Sequence, residues 1–540
     1  MGKNKNQICK TLIIGLMILF AQITEANSKN SESIIVSKWE VVDIKFNTKG
    51  ITSSPFEQEF GAIVTGPDNQ KLNIPGFYND NNEWVIRFSA NKPGVWNYIT
   101  YSNITALNGK TGKVAVTENT INDRHGAVVV NPENPQHFYS EDGTPYFTLA
   151  FELDWLFALD YENETEIPKT RTLFKHIKEN NFNQVVMNVY AFDAKWGEIP
   201  GLKLGYNYEK PIAFPFMGSN DKPDFSSLNV QFFKKFDRVI QFLHEQNIVA
   251  HIMIYVWNKE VNWPTFGSIE DNRYFDYVVK RYQAFPNIIW DVSKEAMLYG
   301  RHGEGYIVER AERIRKLDAF DRLVTVHDYG FCKKYPHTVD FISTQDWKSD
   351  LKPRMDDVRK AFQHKPILNI EHGGYEEGPY LVFRGDYLNA ETCLERNYEC
   401  AFAGVYSTYY WQCAAWDVVI HDPFANNLEP KPKFEYYKHF TNLFVKYGFD
   451  KLKVPENPIS TSGYCLTDGE NVYLFYLPRG IQFFHPNLRN IFEKYKAIWY
   501  NPLTGEKMDD GIINANDGTW HDFTPPWTNL NVVLIAEKIK

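Results

Sequence analysis

The chain of 540 residues carries 58 Lys and Arg against 67 Asp and Glu, a formal charge of −9. That length exceeds what one small core needs and predicts two to four domains. An apolar share of 43% with 23% charged residues excludes wholesale disorder, and no Lys/Arg block advertises a nucleic-acid partner. The aromatic share of 16%, with 14 Trp and 32 Tyr, supplies side chains that fill cores and also form platforms for sugar rings.

Lys3, Lys5 and Lys10 precede an apolar run from Leu12 to Phe20, and Ala21, Thr24 and Ala26 follow. This order predicts an export signal over residues 1–26 and a periplasmic or extracellular protein. The run is too short for a comfortable membrane span and no comparable stretch follows, so the mature protein is expected to lack one. Cys9 lies before the apolar run, not at the cleavage site, which argues against a lipid anchor. The remaining Cys332, Cys393, Cys400, Cys413 and Cys465 are odd in number and widely spaced, the pattern of buried thiols and not of a disulfide framework. There is no CxxC pair, HExxH or EF-hand loop, so no metal or cofactor is expected from motifs.

Residues 27–130 read as an N-terminal β-sandwich. Trp39 to Phe46, Trp84 to Phe88 and Val95 to Ile99 are strand-like, with turns at 66–69 and 92–94. From 131 to 447 the rhythm becomes strand–helix alternation. Eight strands are predicted, at 146–151, 184–189, 249–255, 287–292, 323–326, 341–344, 367–370 and 404–410. Between two of them, Phe232, Phe233, Phe236, Val239, Ile240 and Leu243 fall on one face of a 3.6-residue period. The fold class is therefore α/β, a (β/α)8 TIM barrel. A doubly wound sheet would want a glycine-rich turn after its first strand, where Phe151-Glu152-Leu153-Asp154-Trp155 stands instead. Residues 448–540 return to short strands around the turn at 501–505 and read as a small C-terminal β-sandwich.

Barrel active sites lie at the C-terminal ends of the strands. Strand four ends in Ser293-Lys294-Glu295 and strand seven in Ile370-Glu371-His372, each placing a carboxylate directly after an apolar run. Two facing carboxylates can cleave a glycosidic bond, one protonating the leaving oxygen while the other attacks the anomeric carbon. A single such Glu is commonly a salt-bridged rim residue; the pair at strands four and seven makes that reading the weaker one. Glu152, Asp154, Trp257 and His327, also at strand ends, form with these a mouth suited to a polyhydroxylated ligand.

With these residues in place, the sequence resembles the large clan of retaining (β/α)8 glycoside hydrolases. More narrowly, it resembles the apiosidase-like barrel proteins of polysaccharide-degrading bacteria, which carry an N-terminal sandwich and a C-terminal β-domain of the collagen-binding type. The carrying segments are 87–96 (Arg87 to Trp96), 281–290 (Arg281 to Trp290), Asn369-Ile370-Glu371-His372-Gly373 and Tyr409-Tyr410-Trp411. The resemblance implies Glu295 as acid/base, Glu371 as nucleophile and Trp411 as a sugar platform. It departs at Lys294, where the clan has an Asn that hydrogen-bonds a sugar hydroxyl. A Lys ammonium has no acceptor and cannot copy that role fully, and beside Glu295 it would lower the pKa of a general acid. Either Lys294 points away and pairs with Asp291, or it meets a uronate or sulfate, with Arg301 and His302 on the following loop.

Three functional readings follow. The first is an exported retaining hydrolase of plant or algal oligosaccharides bearing acidic groups. The second is a lyase or dehydratase: a cation on a uronate carboxylate, with His327, Tyr329 or His372 as base, would support β-elimination. The third keeps the barrel as a non-catalytic carbohydrate-binding scaffold.

Overall fold

The structure, a computed structural model, describes residues 34–50, 53–299, 302–382, 387–456, 462–488, 493–514 and 521–539. The expected export signal, Cys9 and Arg301 lie outside the described residues. The eight strands β1 (Leu149–Glu152), β2 (Gln184–Asn188), β3 (Val249–Val256), β4 (Ile288–Lys294), β5 (Val324–His327), β6 (Ile342–Gln345), β7 (Ile367–Glu371) and β8 (Tyr406–Trp411) form the barrel. Each answers to one of the eight predicted runs. The ladders are parallel and run β5-β4-β3-β2-β1-β8-β7-β6. Side chains complete the ring between β5 and β6: Val324 N donates to Asp340 Oδ2 at 2.7 Å and Thr325 Oγ1 to Phe341 O at 3.1 Å.

Strands buried on both faces must be apolar throughout, and Val185, Val186 and Met187 or Ile252, Met253 and Ile254 are fully buried. The helix Val230–Glu245 presents its predicted stripe to the barrel and is capped by Asn229, whose side chain accepts from Phe232 N at 3.3 Å. Along the barrel axis a polar file replaces part of the usual aliphatic filling. Gln184 Nε2 lies 3.3 Å from His251 Nδ1, and His251 Nε2 lies 3.1 Å from Asp291 Oδ2.

Two β-sheets, of five and three strands, make the N-terminal sandwich. It is joined to the barrel by buried ion pairs: Arg87 holds Asp43 at 2.7 Å and Asp237 at 3.1 Å, and Arg281 holds the same Asp237 at 2.6 Å. The hairpin Val128–Val130/Phe138–Ser140 straddles residue 130 and closes the barrel floor, with Phe138 against Phe341 and Tyr406. The C-terminal region differs from the expected sandwich. Its strands form a single five-stranded sheet among the described residues, with Tyr476 stacked on barrel residue Tyr398 at 4.8 Å and the other face covered by Phe484 and Phe523. Cys332, Cys393, Cys400, Cys413 and Cys465 are buried free thiols. Among the described residues no helix is long and apolar enough to cross a membrane.

Candidate active site

The last residues of six strands converge at one end of the barrel: Glu152, Lys294, His327, Gln345, Glu371 and Trp411. Strand alternation and a register shift between Asp291 and Lys294 turn the end of β4 into the mouth. Glu295 then takes φ 52°, in the left-handed region where a residue with a Cβ is strained by roughly 1–3 kcal/mol, a hallmark of residues held for function.

Gln345 joins the two glutamates. Its Nε2 donates to Glu371 Oε2 at 2.8 Å and reaches Glu295 Oε1 at 3.5 Å. Those oxygens can be no further apart than the two distances laid end to end. That limit, set on one oxygen of each group, accommodates the about 5–5.5 Å carboxyl separation of retaining enzymes. Tyr375 OH donates to Glu371 Oε2 at 3.2 Å. Burial first, and the facing Glu371 second, raise the pKa of Glu295, outweighing the lowering by Lys294. The direction is the one a general acid requires.

The partners of Lys294 are not the one expected. Asp291 is occupied by His251, and Lys294 Nζ is surrounded by Glu152 Oε1 at 2.8 Å, Asp154 Oδ2 at 3.0 Å and Glu371 Oε1 at 3.1 Å. Lys294 Nζ donates hydrogen bonds to Glu152 and Asp154, while its contact with Glu371 Oε1 is an ion pair. Burial alone would lower the Lys294 pKa, but Asp154, Glu152, Glu371 and Glu295 together raise it well above the usual lysine value. Burial raises the pKa of Glu152 well above its usual value against the pull of Lys294, and a hydrogen bond to Asp154 adds to the rise. Asp154 stays low: burial opposes this, but Lys294 and Lys259 win.

The other expected site residues divide. His327 faces the nucleophile, its Nε2 3.7 Å from Glu371 Oε1, and burial followed by Lys294 pushes its pKa down to about 4, so the ring is neutral. His372 is turned out of the mouth: Nε2 donates to Thr408 O at 2.8 Å and Nδ1 accepts from Gly374 N, which leaves it no nitrogen for substrate. Tyr329 packs edge-on against Phe362 in the helical layer. Trp257 is buried, stacked on Tyr255 and packed against Phe266 and His302. Trp411 is fully buried with its Nε1 donating to Glu377 O, so it is a packing residue and no platform.

The aromatic surface near the carboxylates is instead Trp416, which lies 5.6 Å from both Lys294 and Lys259 and stands edge-on to Trp196 and Tyr375. Lys259, Tyr375, Trp416 and Trp196 were missed by the strand-end rule because each lies two or more residues beyond its strand. Their only sequence signal was an aromatic or charged residue soon after a predicted strand. A cleft of about 710 Å³ opens beside Trp196, between segments 196–200 and 379–382. A cavity of about 340 Å³ at the opposite end of the barrel, lined by Tyr146, Phe147 and Phe444, is remote from these groups. Among the described residues no cluster of His, Cys, Asp and Glu is arranged to hold a metal ion.

Residues 132–443 match the family described as Apiosidase-like, catalytic domain. The chain belongs to the Apiosidase-like family. Residues 35–103 match a second family, a domain of unknown function (DUF5060). Comparison with curated protein sequences gives no match. Among solved structures, a Bacteroides vulgatus protein described as a candidate glycoside hydrolase superposes with a TM-score of 0.77 at 19% identity, over 94% of this chain and 100% of that one. A glycoside hydrolase family 5 protein from the same organism superposes at 0.56 with 17% identity, over 76% of this chain and 93% of that one. At such identities the likeness speaks for the fold. Family and fold together make the protein a carbohydrate-active enzyme of the glycoside hydrolase type.

Proposed function

We propose that the protein is a retaining glycoside hydrolase in which Glu371 is the nucleophile and Glu295 the acid/base. The observation that supports this reading is the Gln345 bridge, whose one amide nitrogen reaches an oxygen of each carboxyl group, as the short separation of a retaining pair requires. Glu371 Oε2 is fixed by Gln345 and Tyr375, which leaves Oε1 to attack the anomeric carbon. As that bond forms, the glycosidic C–O bond breaks and Glu295 gives its proton to the departing oxygen. Glu295, now ionised, takes a proton from water; the water oxygen bonds to the anomeric carbon, and Glu371 leaves as carboxylate.

Lys294 already sits among three carboxyl groups of the protein, which favours a neutral glycone over an acidic one. Trp196, half-buried and lining the cleft, offers a ring face for it. Residues 1–26 would direct export, and N-terminal sequencing of the mature protein checks this. The test of the reaction is product mass from a panel of neutral and acidic plant and algal oligosaccharides. Hydrolysis adds one water across the products. Cleavage that conserves mass, or loss of water without cleavage, would instead support elimination, with neutral His327 as base. Binding without turnover would leave only a carbohydrate-binding scaffold.

A further inference from the structure

We infer that Lys294 is a positioning residue for Glu371: its ammonium, anchored by Glu152 and Asp154 at the end of β1, is the buried counter-charge that holds the nucleophile in place. The inference rests on the hydrolase reading and adds a residue that the two-glutamate scheme does not contain.

Glu371 is 1% exposed and shares the mouth with Glu295, so its carboxylate depends on a buried counter-charge for its place. The groups facing it and Lys294 come from every side of the mouth. They are Glu152 and Asp154 after β1, Lys259 after β3, Glu295 after β4, His327 on β5, Gln345 on β6, Tyr375 after β7 and Tyr410 on β8. Among them Gln345 and the two tyrosines are neutral, and His327 is neutral at any pH above about 4. Lys259 is engaged with Asp154 at 3.6 Å. Lys294 is therefore the one cation among the described residues paired with Glu371 above that pH, at 3.1 Å.

The anchoring on β1 makes this more than a convenient ion pair. A retaining nucleophile loses its charge when it bonds to the anomeric carbon and recovers it on hydrolysis. If Glu371 were the sole partner of Lys294, that step would strand a buried ammonium. Asp154 and Glu152 instead hold Lys294 by two contacts that persist through both steps, at 3.0 and 2.8 Å. The ammonium neither follows the nucleophile nor loses its counter-charge, so the carboxylate that reforms finds its cation in place.

The test uses the full-length enzyme and the 4-nitrophenyl glycoside cleaved fastest in a panel of pentosides and hexosides. The pH profile of kcat/KM is recorded for wild type, Lys294→Met and Lys294→Arg. A triple variant, Lys294→Met with Glu152→Gln and Asp154→Asn, guards against misfolding because it removes the stranded carboxylates along with the cation. The acid limb of that profile should move up by about one pH unit or more in Lys294→Met and in the triple variant, both of which lack the ammonium beside the nucleophile. In Lys294→Arg the limb should stay near the wild-type position although kcat falls, because a fork cannot reproduce a point charge. A folded triple variant with an unmoved acid limb would overturn the inference and leave the hydrolase reading standing. A wild-type enzyme that cleaves no glycoside at all would remove both.

Discussion

Replacing Lys294 by Asn, the residue the wider hydrolase clan carries there, should destabilise this protein instead of restoring a lost contact. The ammonium is within 2.8 to 3.1 Å of three carboxylates whose side chains are 0–2% exposed. Each such pair is worth roughly 5 kcal/mol in gross Coulomb energy at an effective dielectric near 20, most of it offset by desolvation. Removing one partner of a buried pair costs a net of about 3–5 kcal/mol, because charges are left uncompensated. At the lower end of the usual scaling, about 2 °C per kcal/mol for a large domain, the barrel's Tm should fall by roughly 6–10 °C. The loss should depend on pH. In the wild type Lys294 and Lys259 depress Asp154 against its burial, so this contribution is present above the ordinary aspartate value and lost as pH falls through the folded one. In the variant Asp154 rises instead and Glu152, already raised in the wild type, rises further, so both take up protons on folding and stability declines as pH climbs above about 4. Lys294 itself, raised above its usual value, contributes steadily throughout this window. Thermal unfolding at pH 5 and pH 8 should thus show a wider gap between wild type and variant at pH 8. An unchanged Tm at pH 8, or a wider gap at pH 5, would refute the reasoning.

Further outcomes follow from the same geometry. Gln345→Ala removes a hydrogen bond to a charged group worth about 1.5–3 kcal/mol, so steady-state kinetics should show kcat/KM lowered by roughly 10–100-fold. Glu295→Gln should slow hydrolysis of natural glycosides by about 10²–10⁴-fold while sparing dinitrophenyl glycosides, whose leaving groups need no proton. Wild-type activity should fall on the alkaline side as Glu295 ionises, above the ordinary glutamate value, since burial and Glu371 raise it. Trp196→Ala, at the half-buried ring lining the cleft, should raise KM with little loss of Tm. Trp411→Ala should open a core cavity costing about 3–5 kcal/mol in unfolding experiments, with KM little changed in the folded fraction.

The barrel was legible because strands buried on both faces must be written as apolar runs, and Val185 to Met187 or Ile367 to Ile370 could hardly be anything else. Glu371 and Glu295 were legible for the same reason: a charge that ends such a run has only the mouth to enter. The partners of Lys294 were not. Glu152 and Asp154 precede it by 142 and 140 residues and meet it only when β1 and β4 take their places around a closed ring. The two Trp of 411–416 show a second limit. Being at a strand end does not decide which face a side chain takes, and Trp411 turns toward Phe434 while Trp416, five residues on, reaches the lysines. His372 likewise follows the nucleophile directly, yet alternation sends it outward to Thr408.

The stereochemistry of the first product is the most direct measure of the central claim. If Glu371 attacks and Glu295 serves as acid/base, ¹H NMR in the first minutes of hydrolysis should show the released sugar in the anomeric configuration of the substrate. Appearance of the opposite anomer first, or of an unsaturated sugar in place of either, would contradict it.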